Sequence, residues 1–154
     1  MVPLPPFQIF FDEHQREVHG FLISMVGVSD ADDVFQETFI SALRAYPKLR
    51  AESNLRAWIL TIARRKAIDS IRSRNRRAIP SDALPEQSAP PTPPPAPEVW
   101  DAVSELPPRM RAAVWLRYAG DLTHGDIARV MDSSEDAARK SVSDGLRKLK
   151  ESLA

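Results

Sequence analysis

Apolar residues recur at intervals of three and four along most of this 154-residue chain, the spacing that places side chains on one face of an α-helix. The first such run begins after Pro6 and ends near Gly27. The second ends at Pro47, because proline cannot continue a helix. Ser29 and Asp32 stand three residues apart at its start, so we expect them to cap it as a conservative capping box.

The third run, Asn54 to Arg77, is apolar in its first half and rich in arginine in its second. The apolar positions predict this buried stripe: Leu55, Trp58, Ile59 and Ile62. From Arg56 onward the run holds eight basic residues and one acid, a net charge of +7 in a chain whose net charge is zero. Three arginines share one face within roughly 40°: Arg65, Arg72 and Arg76. A cationic contact face and an ordinary solvated helix both fit this pattern.

Composition changes abruptly over residues 80–97, which contain eight of the fourteen prolines and almost no large apolar side chain. Proline fixes φ and removes backbone donors, so we expect an extended tether that spans at most about 55 Å. If it is only a tether, cleavage within it should release two helical fragments. The alternative is a proline-rich ligand for an SH3-type domain.

The remaining residues, 98–154, predict four more helices. The first covers Val99 to Leu106, and prolines 107 and 108 open the next, which runs to Tyr118. Thr123 starts a short helix, and Asp126 three residues later completes a capping-box-like pair.

A turn, Asp132 to Ser134, precedes the last helix, for which Ser133 and Asp136 are the predicted caps. Its inner stripe is predicted to consist of Ala138, Val142, Gly145, Leu149 and Leu153. A short helix, a tight turn and a longer helix with small residues at the crossing are typical of a helix-turn-helix. The chain is therefore predicted to be all-α, with helical domains at residues 7–79 and 98–154 joined by a proline-rich linker over residues 80–97.

Composition narrows the function classes. With 43% hydrophobic and 27% charged residues, the chain has a soluble globular composition, and it lacks a membrane-length apolar run or a secretory signal, so we expect it in the cytoplasm. It contains no cysteine, and its three histidines lack ligand-like spacing. We therefore expect neither a metal site nor a cofactor.

Two stretches in order resemble the extracytoplasmic-function (ECF) group of bacterial RNA polymerase sigma factors. The first half carries DADDVFQETFISALRAY, from Asp30 to Tyr46, and NLRAWILTIARRKAIDSIRSRNRR, from Asn54 to Arg77. The second half carries LPPRMRAAVWLRYAGDLTHGDIARVM and the helix that begins at Glu135. Their joint occurrence is far more specific than a helix-turn-helix or an arginine-rich helix alone.

The resemblance implies roles for residues of the first half. Asp33, Gln36 and Glu37 match the segment that docks on the clamp helices of the largest polymerase subunit. The loop that holds a flipped base of the minus-ten element corresponds to Arg50, Ala51, Glu52, Ser53 and Asn54. The arginine face, Arg65, Arg72 and Arg76, would then hold phosphates and the opened non-template strand.

In the second half the resemblance assigns contacts with the minus-thirty-five element to Arg139, Lys140, Ser141 and Ser143. The chain departs from the family pattern here because it carries Glu135, Asp136 and Asp144, and residues 98–154 hold nine basic and ten acidic groups. Upstream recognition is therefore expected to be weak or narrow.

The partners implied by the resemblance are core RNA polymerase, promoter DNA and an anti-sigma factor, which family members commonly have; membrane insertion and enzymatic activity are not expected. One rival is a helix-turn-helix regulator that never touches polymerase, which leaves the first half without a role. A second rival is a helical metal-dependent phosphohydrolase that uses Asp30, Asp33 and Glu37. It would need a second acidic helix opposite, where the chain offers a basic one.

Overall fold

The computed structural model describes residues 4–50, 54–77 and 97–153. These residues form seven α-helices and a 3₁₀ turn, Tyr46–Lys48, and the predicted all-α class is confirmed. The helices are α1 (Phe7–Val26), α2 (Val28–Ala45), α3 (Leu55–Arg77), α4 (Pro97–Ser104), α5 (Pro108–Tyr118), α6 (His124–Met131) and α7 (Glu135–Leu153). Within the described ranges, none of these helices combines the length and the apolarity that crossing a bilayer would require.

The junction of α1 and α2 is a single glycine. Gly27 has φ 88° and ψ 163°, a conformation that a side chain would strain, so glycine allows two helices to follow each other without a loop. The predicted end of the first helix near Gly27 is confirmed. The predicted Ser29–Asp32 capping box is wrong, because α2 begins at Val28 and Ser29 already lies inside the helix. Asp32 instead contacts Nε2 of His19 on α1 at 3.0 Å.

Helix α3 packs against α1 and α2 on one side and against α6 on another. Asn54 caps it, since its Oδ1 accepts from the backbone N–H of Ala57 at 3.0 Å. The predicted buried stripe is only partly correct: Ile59 is fully buried, whereas Leu55, Trp58 and Ile62 are partly buried. The other fully buried positions are Leu60, Ala63 and Ala67, because a helix with partners on two sides buries a wider arc than one stripe.

The helix-turn-helix consists of α6 and α7. Thr123 caps α6 as predicted, with its hydroxyl accepting from the N–H of Asp126 at 3.1 Å. Ser134, not Ser133, caps α7: its hydroxyl accepts from the N–H of Ala137 at 3.1 Å. The turn between the two helices covers residues 132–134, as predicted. Asp132 ends α6 because it adopts a left-handed conformation (φ 55°, ψ 52°).

The inner stripe of α7 is correct for four of its five predicted residues: Ala138, Val142, Gly145 and Leu149 are buried. Leu153 is exposed, since it lies in the last turn.

Side chains from the two predicted domains pack into one shared hydrophobic cluster. Helix α1 contacts α5, and α3 contacts α6. Phe21 of α1 and Trp115 of α5 meet edge to face, with ring centroids 5.3 Å apart. The predicted linker, residues 80–97, lies outside the described residues except for Pro97, which opens α4.

Candidate nucleic-acid and docking surfaces

The outer face of α2 carries the residues that the sequence marks for docking. Asp33, Gln36 and Glu37 are all exposed. At 100° per residue they share an arc of roughly 120° with two apolar residues, Ile40 and Leu43. These two side chains are 49% and 55% exposed. The face therefore has an acidic N-terminal part and an apolar C-terminal part, and a combination of exposed apolar and charged side chains is typical of protein interfaces.

Sequence reasoning missed Ile40 and Leu43 as members of this face. Their spacing of four and seven residues from Gln36 was a usable signal, because residues at those intervals lie on one side of a helix. Leu43 belongs to the apolar period of the second helix, which predicts burial, so its exposure was not expected. Ile40 lies outside that period, and a lone apolar residue on a helix surface is no signal of an interface.

The cationic face of α3 lies where the sequence predicts it. Arg65, Arg72 and Arg76 are all exposed on one side of the helix. Arg64 has a different environment, because it is partly buried and its Nε has no hydrogen-bond partner among the described residues. Burial lowers the pKa of Arg64, and the charge of Arg109 on α5 lowers it further.

The predicted minus-ten loop is described only at its ends, since Ala51, Glu52 and Ser53 lie outside the described residues. Arg50 is exposed. Asn54 caps α3 and also donates from Nδ2 to Oδ1 of Asp126 at 3.3 Å, which links the loop to the start of α6.

Arg56, in the first turn of α3, joins the two halves of the molecule. Its Nε donates to Oε1 of Glu17 on α1 at 2.8 Å, and its Nη2 donates to the carbonyl oxygen of Gly120, just after α5. The hydrogen bond with Glu17 raises the pKa of Arg56. The sequence suggested only that Arg56 belongs to a basic run, because a contact between distant segments leaves no local pattern.

On α7 the predicted upstream-element residues divide into two groups. Arg139, Lys140 and Ser143 are exposed, whereas Ser141 is only 9% exposed and faces the interior. Ser141 lies on the buried side of the helix, so it is not available to DNA in this conformation.

The basic residues of the outer face of α7 are paired with acids on the same helix. Arg139 contacts Glu135 at 2.7 Å. Lys140 and Arg147 both contact Asp144, each at 2.9 Å. The hydrogen bond from Lys140 holds the pKa of Asp144 below its ordinary value, and the positive charges of Lys140 and Arg147 lower it further.

Comparison with known proteins shows the family to which the chain belongs. The family model for Sigma-70 region 2 matches residues 10–77, and that for Sigma-70, region 4 matches residues 97–149. The RNA polymerase sigma factor CarQ of Myxococcus xanthus is 31% identical, over 96% of this chain and 88% of its own. This chain belongs to the RNA polymerase sigma factors. An ECF RNA polymerase sigma-E factor of Haemophilus influenzae is 28% identical, over 88% of this sigma factor and 81% of its own chain.

Solved structures share the fold of this sigma factor. The sigma factor RpoE of Bartonella quintana, in complex with the anti-sigma factor NepR, superposes with a TM-score of 0.83 at 24% identity and covers 96% of both chains. CnrH, in complex with the cytosolic domain of CnrY, gives a TM-score of 0.71 at 20% identity, over 96% of this chain and 86% of that one. The predicted ECF resemblance is confirmed.

The phosphohydrolase alternative finds no support in the surroundings of Asp30. Its carboxylate contacts Nη1 of Arg74 on α3 at 3.4 Å, so the facing helix supplies a cation where a metal site would need another acid. Within residues 4–50, 54–77 and 97–153, no three His, Asp or Glu side chains are grouped closely enough to hold a metal ion.

Proposed function

We propose that this sigma factor docks on core RNA polymerase through the outer face of α2 and directs the enzyme to promoter DNA through α3 and α7. The observation that carries the proposal is the α2 face, where Asp33, Gln36 and Glu37 precede the exposed Ile40 on the same side of the helix. Exposed apolar side chains of this kind lose water when a partner covers them. The carboxylates would then pair with basic groups and set the orientation of the complex.

The DNA-binding roles follow from the distribution of charge. Arg65, Arg72 and Arg76 form an exposed cationic face suited to phosphates. The adjoining loop, residues 50–54, is proposed to read the minus-ten element and to hold a flipped base while the duplex opens. Trp58 belongs mainly to the core, since its ring lies 5.7 Å from that of Phe10.

The proposed upstream contacts come from Arg139, Lys140 and Ser143, which are exposed. Ser141 could take part only if α7 shifted in its packing. Because the acids on α7 offset its basic groups, we expect upstream contacts to contribute less than those of the minus-ten region.

An anti-sigma factor is a further proposed partner. One solved structure with this fold is a sigma factor in complex with an anti-sigma factor, and another is CnrH in complex with the cytosolic domain of CnrY. This sigma factor is proposed to act without catalytic activity of its own, in the compartment that holds core polymerase.

Binding to core polymerase tests the docking assignment. The variant Asp33→Ala/Glu37→Ala should weaken the complex by about 2 kcal/mol, or about thirtyfold, if those carboxylates are desolvated against basic partners. Competition with a labelled sigma factor for core enzyme measures the change. The fold should survive, because both side chains are exposed.

A matched control variant removes two negative charges from another helix. Asp12 and Glu13 are exposed on α1, a different helix from the one that carries the proposed docking face, and Asp12→Ala/Glu13→Ala should compete as well as the unchanged protein. The assignment would be refuted if both double variants competed for core enzyme as well as the unchanged protein does. Failure of the unchanged protein to bind core polymerase at all would favour the independent regulator.

A further inference from the structure

The first thirteen residues of α7 have no net charge although they carry the proposed DNA contacts. Arg139, Lys140, Ser143 and Arg147 lie within roughly 100° on a helical wheel. Over the first thirteen residues of α7, three basic groups are matched by three acids: Glu135, Asp136 and Asp144. Most helices that bind DNA present an excess of positive charge, so this balance requires an explanation.

Asp144 is the acid best placed to affect DNA binding, because it contacts two basic side chains at once. Lys140 approaches its Oδ2 from one turn before, and Arg147 approaches its Oδ1 from one turn after. The side chain of Asp144 is 19% exposed, while those of Lys140 and Arg147 are 76% and 66% exposed. The acid is therefore covered by the two cations that lie over it.

A DNA phosphate and a carboxylate compete for the same donors. Ammonium and guanidinium groups bind either anion through charge-assisted hydrogen bonds. Before Lys140 and Arg147 can contact a phosphate, they must leave Asp144 or share their donors with it, and the uncovered carboxylate would then repel the DNA backbone. Both effects weaken binding at this helix.

We propose that Asp144 is a positioning residue that limits the affinity of α7 for DNA by holding Lys140 and Arg147 along the helix surface. The inference rests on the proposed function in one respect, that α7 is the helix that approaches DNA. Glu135 has a smaller effect, because among the described residues it forms an ion pair with Arg139 alone. It also lies in the first turn of the helix, where the dipole favours an acid. The upstream contact is then weak because of one side chain, not for lack of basic residues.

The test uses the full chain and a mixed-sequence duplex, with fluorescence anisotropy measured over a series of salt concentrations. Asp144→Asn should raise affinity at low salt by about three- to tenfold and steepen the slope of log K against log salt by about one to two, as two cations become available to phosphates. Asp136→Asn is the matched control. Asp136 is also exposed on α7 but forms no ion pair with the described residues, so its replacement should leave the slope unchanged.

A double-mutant comparison separates release of the two cations from a general change of charge. In a Lys140→Gln/Arg147→Gln background, Asp144→Asn should lose most of its effect. Asp144→Glu, which keeps the carboxylate, should restore the weak binding. Asp144→Ser gives a second neutral side chain if the asparagine variant shows reduced helicity by circular dichroism.

Equal effects of Asp144→Asn and Asp136→Asn, or an undiminished effect in the double-glutamine background, would overturn the inference. The duplex measurement needs no polymerase, so its outcome is independent of the competition assay that tests docking. A sigma factor that binds core enzyme normally but shows no change on Asp144→Asn would refute this inference alone. A chain that fails to bind core enzyme would refute the proposed function and leave the duplex result intact.

Discussion

His14 is a partly buried histidine whose surroundings make the fold sensitive to acid. Its ring lies 5.0 Å from that of Phe10. Burial lowers its pKa from the ordinary value of 6.5, although the charges of Glu17 and Glu13 oppose that shift. The folded state therefore binds a proton less readily than the unfolded state does.

This difference predicts how stability depends on pH. Below the unfolded pKa the unfolded chain gains a proton first, so the stability present at neutral pH is lost as pH falls through the lower, folded pKa. His14→Gln should reduce the loss of stability between about pH 7 and about pH 5. Urea unfolding at several pH values measures this, and equal pH dependence in both proteins would contradict the prediction.

Single residues also show what the sequence can and cannot specify. The cap Thr123 could be predicted, because Asp126 follows it at the capping-box spacing directly before an apolar period. At α2 and α7 several polar residues stand together, so the actual cap depends on where the helix begins to within one residue. The start of α2 follows from the positive φ of Gly27, and that of α7 is marked by the hydrogen bond that Ser134 accepts from the N–H of Ala137.

At the scale of elements, alanine substitutions at two helical glycines are predicted to have opposite effects on stability. An added Cβ at Gly145 of α7 would lie 2.6 Å from Cγ2 of Val114 on α5, whereas one at Gly125 of α6 would meet nothing closer than 3.9 Å. Gly145 therefore permits the close crossing of α5 and α7. Valine cannot rotate away cheaply, because its branched side chain is restricted at χ1.

Gly145→Ala should destabilise the protein by about 1–3 kcal/mol through overpacking. Gly125→Ala should stabilise it by about 0.5–1 kcal/mol, since alanine favours the helix and reduces the entropy of the unfolded chain. Denaturant unfolding compares the two variants directly. A stabilising Gly145→Ala would show that the crossing can relax to accept the methyl group.

The elements also show why one face was predicted better than another. The exposed arginine face of α3 could be predicted from charge alone, because burying Arg65, Arg72 and Arg76 without partners would cost too much desolvation free energy. The buried face depends on neighbours, and contact with α6 adds positions such as Leu60 to it. A period within one helix cannot reveal a partner that comes from about 60 residues later in the chain.

At the scale of the whole molecule, the two halves are joined by specific contacts. Arg111 of α5 donates to the carbonyl oxygen of Met25 near the end of α1. Trp115 packs on Phe21 and passes close to Gly20, where an added Cβ would lie 3.6 Å from Cζ2 of Trp115. The sequence predicted separate domains on a tether, because a proline-rich composition gives no information about contacts between the segments it connects.

The shared cluster predicts that the two halves remain associated after the chain between them is cut. A specific protease site inserted between Gln87 and Ser88 allows this cut without altering any described residue. The nicked protein should elute from a sizing column as one species at roughly 10 µM, because hydrophobic contacts and the Arg56 and Arg111 hydrogen bonds hold the halves together. A simple tether would release two fragments under the same conditions.

Gly20 supplies a matched pair of variants for this experiment. Gly20→Ala adds only the methyl group for which there is room, so its nicked form should still elute as one species. Gly20→Leu extends further atoms toward Trp115 and should separate the nicked halves, while each half keeps its helical circular dichroism. Cutting the chain removes the high effective concentration that the covalent connection provides. Separation of the unchanged nicked protein would therefore contradict the prediction, because it would show that the contacts of α1 with α5 and of α3 with α6 are too weak to hold the halves together.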